Sequence, residues 1–437
     1  MMMYLYAGRT LIRQRGAATL LLTTLMVSLM LIVAGRAALL SRYQLAEVQH
    51  DIERRQSFWL AEGGLECLWA QVRSNQAGQT LPSACQPIEH QIQWISPREQ
   101  QLTVTVGKTT LQKRYRLPLP DMAGSVKTTS RLILTQPAAF APDVARFNSS
   151  GDWACIALRY KYDFYAPSVT TYHPDQLPYL LYSGFPVHSG RCAASYHSVE
   201  LPVKSAQSDY QYTPGLSPFQ DLFGVPVQRW FDVMSQPQVG RIPDTLNDAV
   251  SGNLRYTTAS ALPQARLNQK CGSQIEDLVW RGEMIIWVYG GCVLSDPDVQ
   301  RINTAIQTKF PRQGIILLIQ DGVVGIESHH PLQGMLYQFI SPQHPAMVFQ
   351  SWGDTALQTT LIESLVSLKP QFSITPEQVS YFQHGSFYPA GGLVLDADRH
   401  FAVVQGRMDF HYRRDLLMTP LSLIRPARWL GGSWNER

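Results

Sequence analysis

The sequence predicts an α+β protein: a long N-terminal α-helix, half transmembrane and half amphipathic, packed on a β-sheet and followed by a β-rich, solenoid-like C-terminal region. Three observations predict it. Gly16 to Gly35 contains no charged residue. Phe58, Ala61, Leu65, Leu68 and Val72 recur at 3-4-3-4 spacing, one stripe of a helix. From about residue 275 onward, short β-rich runs each carry or border glycine.

The apolar stretch comes first. Its twenty residues, GAATLLLTTLMVSLMLIVAG, rise to ~30 Å, the thickness of a bilayer core. Arg9, Arg13 and Arg15 precede it without an acidic residue, so the positive-inside rule leaves the N-terminus in the cytoplasm. Everything after Arg36 then lies across the membrane, in a bacterial periplasm. A cleaved secretory signal competes with this reading, and it would require a short apolar core and a helix break. Neither is found: the run is full length, and no proline occurs before Pro82. The charged residues Glu47, Asp51, Glu53, Arg54 and Arg55 separate the membrane half from the amphipathic stripe. One helix of roughly 55 residues, ~80 Å long, is expected, with Gly63-Gly64 as a soft point.

The six cysteines, Cys67, Cys85, Cys155, Cys192, Cys271 and Cys292, are all placed outside the membrane by this orientation. None forms a C-x-x-C motif, so zinc and thioredoxin-like redox chemistry are poorly supported. An even count in an exported chain reads as disulfides, and consecutive pairing is the simplest of the possible connectivities. Each such loop would contribute roughly 3 kcal/mol in the chain-entropy account.

The remainder divides by texture. Gln101 to Leu117 alternates Leu102, Val104 and Val106 and reads as a hairpin turning near Gly107-Lys108, with Ser130 to Leu134 as a second strand candidate completing the helix-packed sheet. Residues 136–274 read as loop-rich and aromatic, with a short helix at Pro218 to Phe223. The aromatic cluster Tyr160 to Tyr165 is either a ligand-contacting surface or, the weightier reading, core filling. Met284–Leu294, Gly314–Gly325, Gly334–Ile340, Gly385–Leu395 and Phe401–Phe410 suggest stacked β-rungs, interrupted by a helix over Thr355 to Leu368 with Asp354 as N-cap. The expected organisation is a leader over 1–16, a transmembrane half over 17–35, helix and sheet over 36–135, the aromatic segment over 136–274 and the β-rung domain over 275–437.

Two segments carry a family resemblance. Arg13-Gln14-Arg15-Gly16 followed by Ala17-Ala18-Thr19-Leu20-Leu21 looks like the leader, glycine and apolar start of a type IV prepilin. Arg55-Gln56-Ser57-Phe58-Trp59-Leu60-Ala61-Glu62-Gly63-Gly64-Leu65 resembles the corresponding segment of PilX-type minor pilins. More weakly, Trp287-Val288-Tyr289-Gly290-Gly291-Cys292-Val293-Leu294, Val403-Val404-Gln405-Gly406 and Gly432-Ser433-Trp434 resemble the C-terminal part of the same proteins. The resemblance covers about half of the chain. It implies cleavage after Gly16 and methylation of the Ala17 amine by a prepilin peptidase. It also implies partnership with major and minor pilins, and exposure in a pilus. Leu21 stands where most major pilins carry glutamate, which implies a minor subunit.

Composition and motifs limit the alternatives. Of 437 residues 45% are hydrophobic and 16% charged, which argues for two or three folded units rather than extended disorder. A net charge of +4, with no basic block beyond the N-terminal group, does not favour nucleic acid. No G-x-S-x-G, Walker, H-E-x-x-H or dinucleotide-binding motif is present, so assembly rather than catalysis is expected, with no cofactor and no metal. His329-His330 reads as an exposed turn, and Asp296-Pro297-Asp298 and Asp396-Ala397-Asp398 lack the glycine and glutamate of a calcium loop. The second functional reading is a permanently membrane-anchored periplasmic solenoid that binds or cleaves carbohydrate.

Overall fold

The computed structural model describes residues 14–73, 85, 89–96, 99–147, 152–172, 192–198, 208–342, 349 and 351–436. It is an α+β fold built from one long helix, an antiparallel sheet and a set of parallel sheets.

The helix runs without a break from Gln14 to Arg73, 60 residues, or about 90 Å at 1.5 Å per residue. No proline or helix-breaking cluster interrupts it, and the two glycines at 63 and 64 are accommodated. Its last turns lie on an antiparallel sheet. Glu89–Ser96 pairs with Glu99–Val106, which pairs with Thr109–Arg116, and the turn between the last two is Gly107-Lys108 with φ +59° at the glycine. The expected hairpin is therefore present, with an additional outer strand ahead of it. The far edge of Thr109–Arg116 is closed by the end of the chain. Arg428–Trp429 and Asn435–Glu436 both pair along it.

The strand expected at Ser130 to Leu134 does not complete this sheet. Arg131–Leu134 pairs in parallel with Phe401–Gln405 instead. Its three residues Leu132, Ile133 and Leu134 are all buried, the signature of a strand covered on both faces rather than one packed on a helix.

That strand belongs to two large parallel sheets. Along the first, the order in space is Tyr210–Tyr212, Leu158–Tyr160, Val126–Thr128, Gly392–Asp396, Gly334–Phe339, Ile315–Gln320, Ile285–Tyr289 and Val239–Ile242. Along the second it is Phe164–Tyr165, Arg131–Leu134, Phe401–Gln405, Val379–His384, Val324–Glu327, Gly291–Ser295 and Leu267–Asn268. A smaller parallel sheet aligns Val169–Thr171, Ala138–Phe140 and Met408–Phe410. The chain thus joins the stack in its middle at residue 126, builds to one end at 212, crosses to the other end at 239, and returns. Its last pass, 392–410, seats against its first, 126–140.

The sheets therefore run across both boundaries drawn at 135/136 and 274/275. Residues 126–212 supply strands of only two to five residues, too short to show a periodicity, and Val126–Thr128, Arg131–Leu134 and Ala138–Phe140 each take a partner from the distant pass 392–410. The helix at Pro218–Phe223 is present as expected. The helix expected from Thr355 starts at Gln358, after Leu357. Asp354 does not cap it. Trp352 is buried and its indole donates to the Val379 carbonyl at 2.8 Å, so residues 352–357 make a turn that seats the ring before the helix begins.

Packing explains the apolar runs. Ile286, Val288, Leu317, Ile319 and Leu336 of the first sheet share one core with Leu294, Val324, Ile326, Ala402 and Val404 of the second. The opposite face of the first sheet, Trp287, Leu318, Tyr337 and Phe339, is covered by Phe219, Trp230 and Met234 from the helices Pro218–Phe223 and Trp230–Met234. The opposite face of the second, Val323, Phe382 and Val403, is covered by Leu361, Leu365 and Leu368 of Gln358–Leu368. Glycine is required at the corners between the sheets. A Cβ on Gly322 would sit 2.1 Å from the backbone nitrogen of Gly291, and one on Gly406, at φ +146°, 2.4 Å from the Gly385 carbonyl oxygen. Successive passes touch backbone to backbone there.

Candidate assembly surface

Among the described residues, the N-terminal helix leaves the most apolar surface uncovered. Every side chain from Ala18 to Gln56 is exposed, and Leu20, Leu25, Met30, Leu31 and Val33 are each more than half exposed. The helix is long and apolar enough to cross a membrane. Its few polar groups are satisfied within the helix, as a bilayer demands: the Thr23 and Thr24 hydroxyls donate to the Leu20 and Leu21 carbonyls at 3.0 Å, and Ser28 donates to Thr24 at 2.6 Å.

Beyond Arg36 the helix stays bare for six more turns while its character changes. Asp51 and Arg55 form an i,i+4 ion pair at 2.9 Å and His50 lies 3.8 Å from Glu53, all well exposed and so worth little in stability. Among them Leu45, Val48, Ile52 and Trp59 remain exposed. Their 3-4-7 spacing aligns these four as a second apolar stripe, which at 100° per residue points roughly 150° away from the stripe that packs on the sheet, while Leu39, Leu40, Tyr43 and Leu60 are exposed on other sides of the helix.

The packed stripe is well seated. Ala61, Leu65, Leu68, Trp69 and Val72 are buried against Leu102, Val104, Leu111, Tyr115 and Leu117. Phe58 is half-buried at the edge of this contact, 6.4 Å from the Trp434 ring. Trp69 stacks on Trp429 with centroids 4.0 Å apart, and both meet Tyr115 edge-on. The Tyr115 hydroxyl donates to Gln100, and burial pushes its pKa well up. Trp69, Trp429 and Tyr115 were missed from the sequence. The lone signal for them is that a tryptophan near the chain end is flanked by Gly431-Gly432, a pattern too common to assign a partner.

The other singled-out residues fall as follows. Gly16 and Ala17 are the third and fourth residues of the helix, and Arg9 and Arg13 lie outside the described residues. Leu21 is 66% exposed. Cys67–Cys85, Cys155–Cys192 and Cys271–Cys292 are joined as disulfides. The first ties the end of the helix to Cys85. The second ties the strand Trp153–Ile156, which pairs with Asp143–Phe147, to Cys192, and the third links the helix Cys271–Arg281 to the strand Gly291–Ser295.

The acidic and histidine motifs serve the fold. Asp296 and Asp298 occupy the first turn of the helix Asp296–Lys309, whose N-cap Ser295 forms a capping box with Asp298. Asp296 also accepts from His330 Nδ1 at 2.9 Å, from the His329 amide at 2.9 Å and from Ser328 at 2.7 Å. Led by the His330 bond, these hold its carboxyl well below the usual carboxylate range. Asp396 is half-buried, accepts from Thr129 and Tyr337 at 2.8 Å each, and loss of solvent around its carboxyl pushes its pKa up. Asp398 pairs with Lys161 at 3.3 Å. Of the aromatic cluster, Tyr160 is buried against Tyr212 and Phe164 stacks on Tyr210, which makes those rings core. Among the described residues no three His, Cys, Asp or Glu side chains converge as a metal site.

The fold and surface thus define an α+β protein with one membrane-length helix and a disulfide-bonded head, features that suit an oxidising compartment. No protein family, curated protein or solved structure matches this chain.

Proposed function

We propose that this protein is a minor pilin of a type IV pilus system, held in the inner membrane by its N-terminal helix with its head in the periplasm, and acting by assembly rather than catalysis. One observation carries the reading: the helix is continuous from lipid-length apolar stretch to packed head, and it bears a second apolar stripe on the face turned away from the head. A plain anchor needs neither continuity nor that stripe. An assembling subunit needs both, because neighbouring helices must be gripped along a rod that transmits position to the head.

The head, more than 300 residues beyond the helix, is large for a repeating shaft. It is more easily accommodated at a filament tip, where it would serve initiation or adhesion. Membrane lipid, prepilin peptidase and other pilins are the partners of this reading. Leu21 in place of the usual acid fits a minor rather than a major subunit. We read the stacked parallel strands of 126–171 and 239–410 as a solenoid-like body presented at that tip.

The test is the mature N-terminus, read by mass spectrometry on protein from native membranes. A chain beginning at Ala17 with a methylated amine is expected. Retention of the initiating methionine would replace this reading with the second one, a fixed membrane-anchored solenoid that binds or cleaves carbohydrate, which the parallel stack by itself favours.

A further inference from the structure

The antiparallel sheet has two faces, and only one is used by the helix. On the other, Gln101, Gln112 and Arg114 alternate with the buried Leu102, Leu111 and Tyr115. The segment Leu430 to Asn435 rises beside this face. It is fastened by Ser433, whose hydroxyl accepts from the Arg114 amide at 3.1 Å and donates to the Leu430 carbonyl at 2.6 Å, with the Arg114 carbonyl 3.2 Å away. Between segment and sheet lies a cleft of about 720 Å³.

Its lining is mostly polar and carries charge of one sign. Gln93, Gln101, Gln112 and Asn435 contribute four carboxamides and Arg114 one guanidinium, Leu430 and Trp434 add apolar surface, and no carboxylate is present in the wall. Arg116, two residues beyond Arg114 on the same strand, is paired with Glu99 at 2.9 Å. Arg114 is not: its Nε reaches Gln101 Oε1 at 3.5 Å, and its two terminal nitrogens meet no carboxylate among the described residues. A guanidinium steadied through Nε with its terminal fork open is suited to a bidentate carboxylate. The side chains of Gln93 and Gln112 make no hydrogen bond among the described residues, so each offers a donor and an acceptor to the cleft. A peptide ligand would want several apolar pockets for its side chains; apart from Leu430 and Trp434 this wall is polar and suits hydroxyls.

We propose that this cleft binds a carboxylate-bearing oligosaccharide, with Arg114 gripping the carboxylate and the carboxamides of Gln93, Gln112 and Asn435 pairing with sugar hydroxyls. The site lies on the helix-packed unit, away from the parallel stack, and it stands whether or not the leader is cleaved.

The experiment is calorimetric titration of the full chain, in a detergent without a sugar head group, with tetragalacturonic acid, maltotetraose and an acidic hexapeptide. Saturable binding of the uronate alone is expected. Arg114→Ala should weaken it about tenfold or more, since a charge-assisted bidentate contact is lost. Arg114→Lys should weaken it several-fold by keeping the charge without the fork, and Gln112→Ala should do so to a lesser degree. Arg114 is exposed, so unchanged circular dichroism of its variants is expected and keeps the result interpretable. No saturable heat with the uronate at millimolar concentration, equal binding of maltotetraose, tighter binding of the peptide, or wild-type affinity in Arg114→Ala would each overturn the assignment.

Discussion

At the scale of single residues, the strongest constraints are buried charges. Lys127 and Asp221 form an ion pair with side chains only 5% and 2% exposed, and Lys127 also donates to the Met122 carbonyl at 2.6 Å. Lys127→Met leaves the Asp221 carboxylate uncompensated and is expected to cost about 3–5 kcal/mol in denaturant unfolding, whereas Lys127→Met with Asp221→Leu should recover much of that loss. Gly63 shows the opposite case. Its added Cβ would meet nothing within 4 Å, so Gly63→Ala should stabilise the head-proximal helix by about 1 kcal/mol, readable as slower amide exchange there. Asp296 sets a pH dependence. Its carboxyl is depressed in the folded state, so its contribution is present above the unfolded value of about 4 and is lost as pH falls below it. Asp296→Asn should lower stability at pH 7 and flatten the acid limb of the unfolding curve; an unchanged limb would show that the His330 contact contributes nothing.

At the scale of elements, the long helix was legible and most of the strands in the first half of the head were not. A continuous uncharged run and a 3-4 stripe are local patterns, visible because the helix period repeats within a few residues. Strands such as Val126–Thr128 and Leu158–Tyr160 have three residues each, which cannot express a period, and their identity as strands depends on neighbours far along the chain. The stripe Leu45, Val48, Ile52 and Trp59 likewise emerged only when the packed face was known. It yields a separable prediction. Val48→Asp with Ile52→Asp should leave the thermal unfolding of the head unchanged, because neither side chain touches it, while abolishing recovery of the protein in sheared filaments counted by electron microscopy. Filaments at wild-type number and content would remove this stripe from assembly. The cysteines behave as a second element-scale device: replacing Cys67 and Cys85 by serine opens an 18-residue separation and is expected to cost about 3 kcal/mol, loosening the last helical turns first.

At the scale of the whole molecule, the chain end holds the beginning in place. Trp429 stacks on Trp69 across the full length of the chain, and Arg428–Trp429 and Asn435–Glu436 close the edge of the sheet on which the helix rests. The stack repeats the theme, with the pass 392–410 seated on the pass 126–140. Removing residues 426–437 should therefore expose Trp69 and raise hydrogen exchange over 61–72 and 99–116, while the parallel sheets retain their protection. A truncated chain with unaltered protection over 61–72 would show that the strap is dispensable.

By itself the sequence determined the membrane-length rod, its amphipathic continuation and the hairpin it rests on. Each is written in residues at most a few positions apart, where side-chain period and backbone geometry coincide. Only the tertiary structure decided that Arg131–Leu134 joins the parallel stack rather than the helix-packed sheet, that the stack is entered in its middle, and that the chain end closes the sheet under the helix. Parallel pairing and edge closure unite segments with no local relation, so their energetics reside in contacts formed only once the chain has folded.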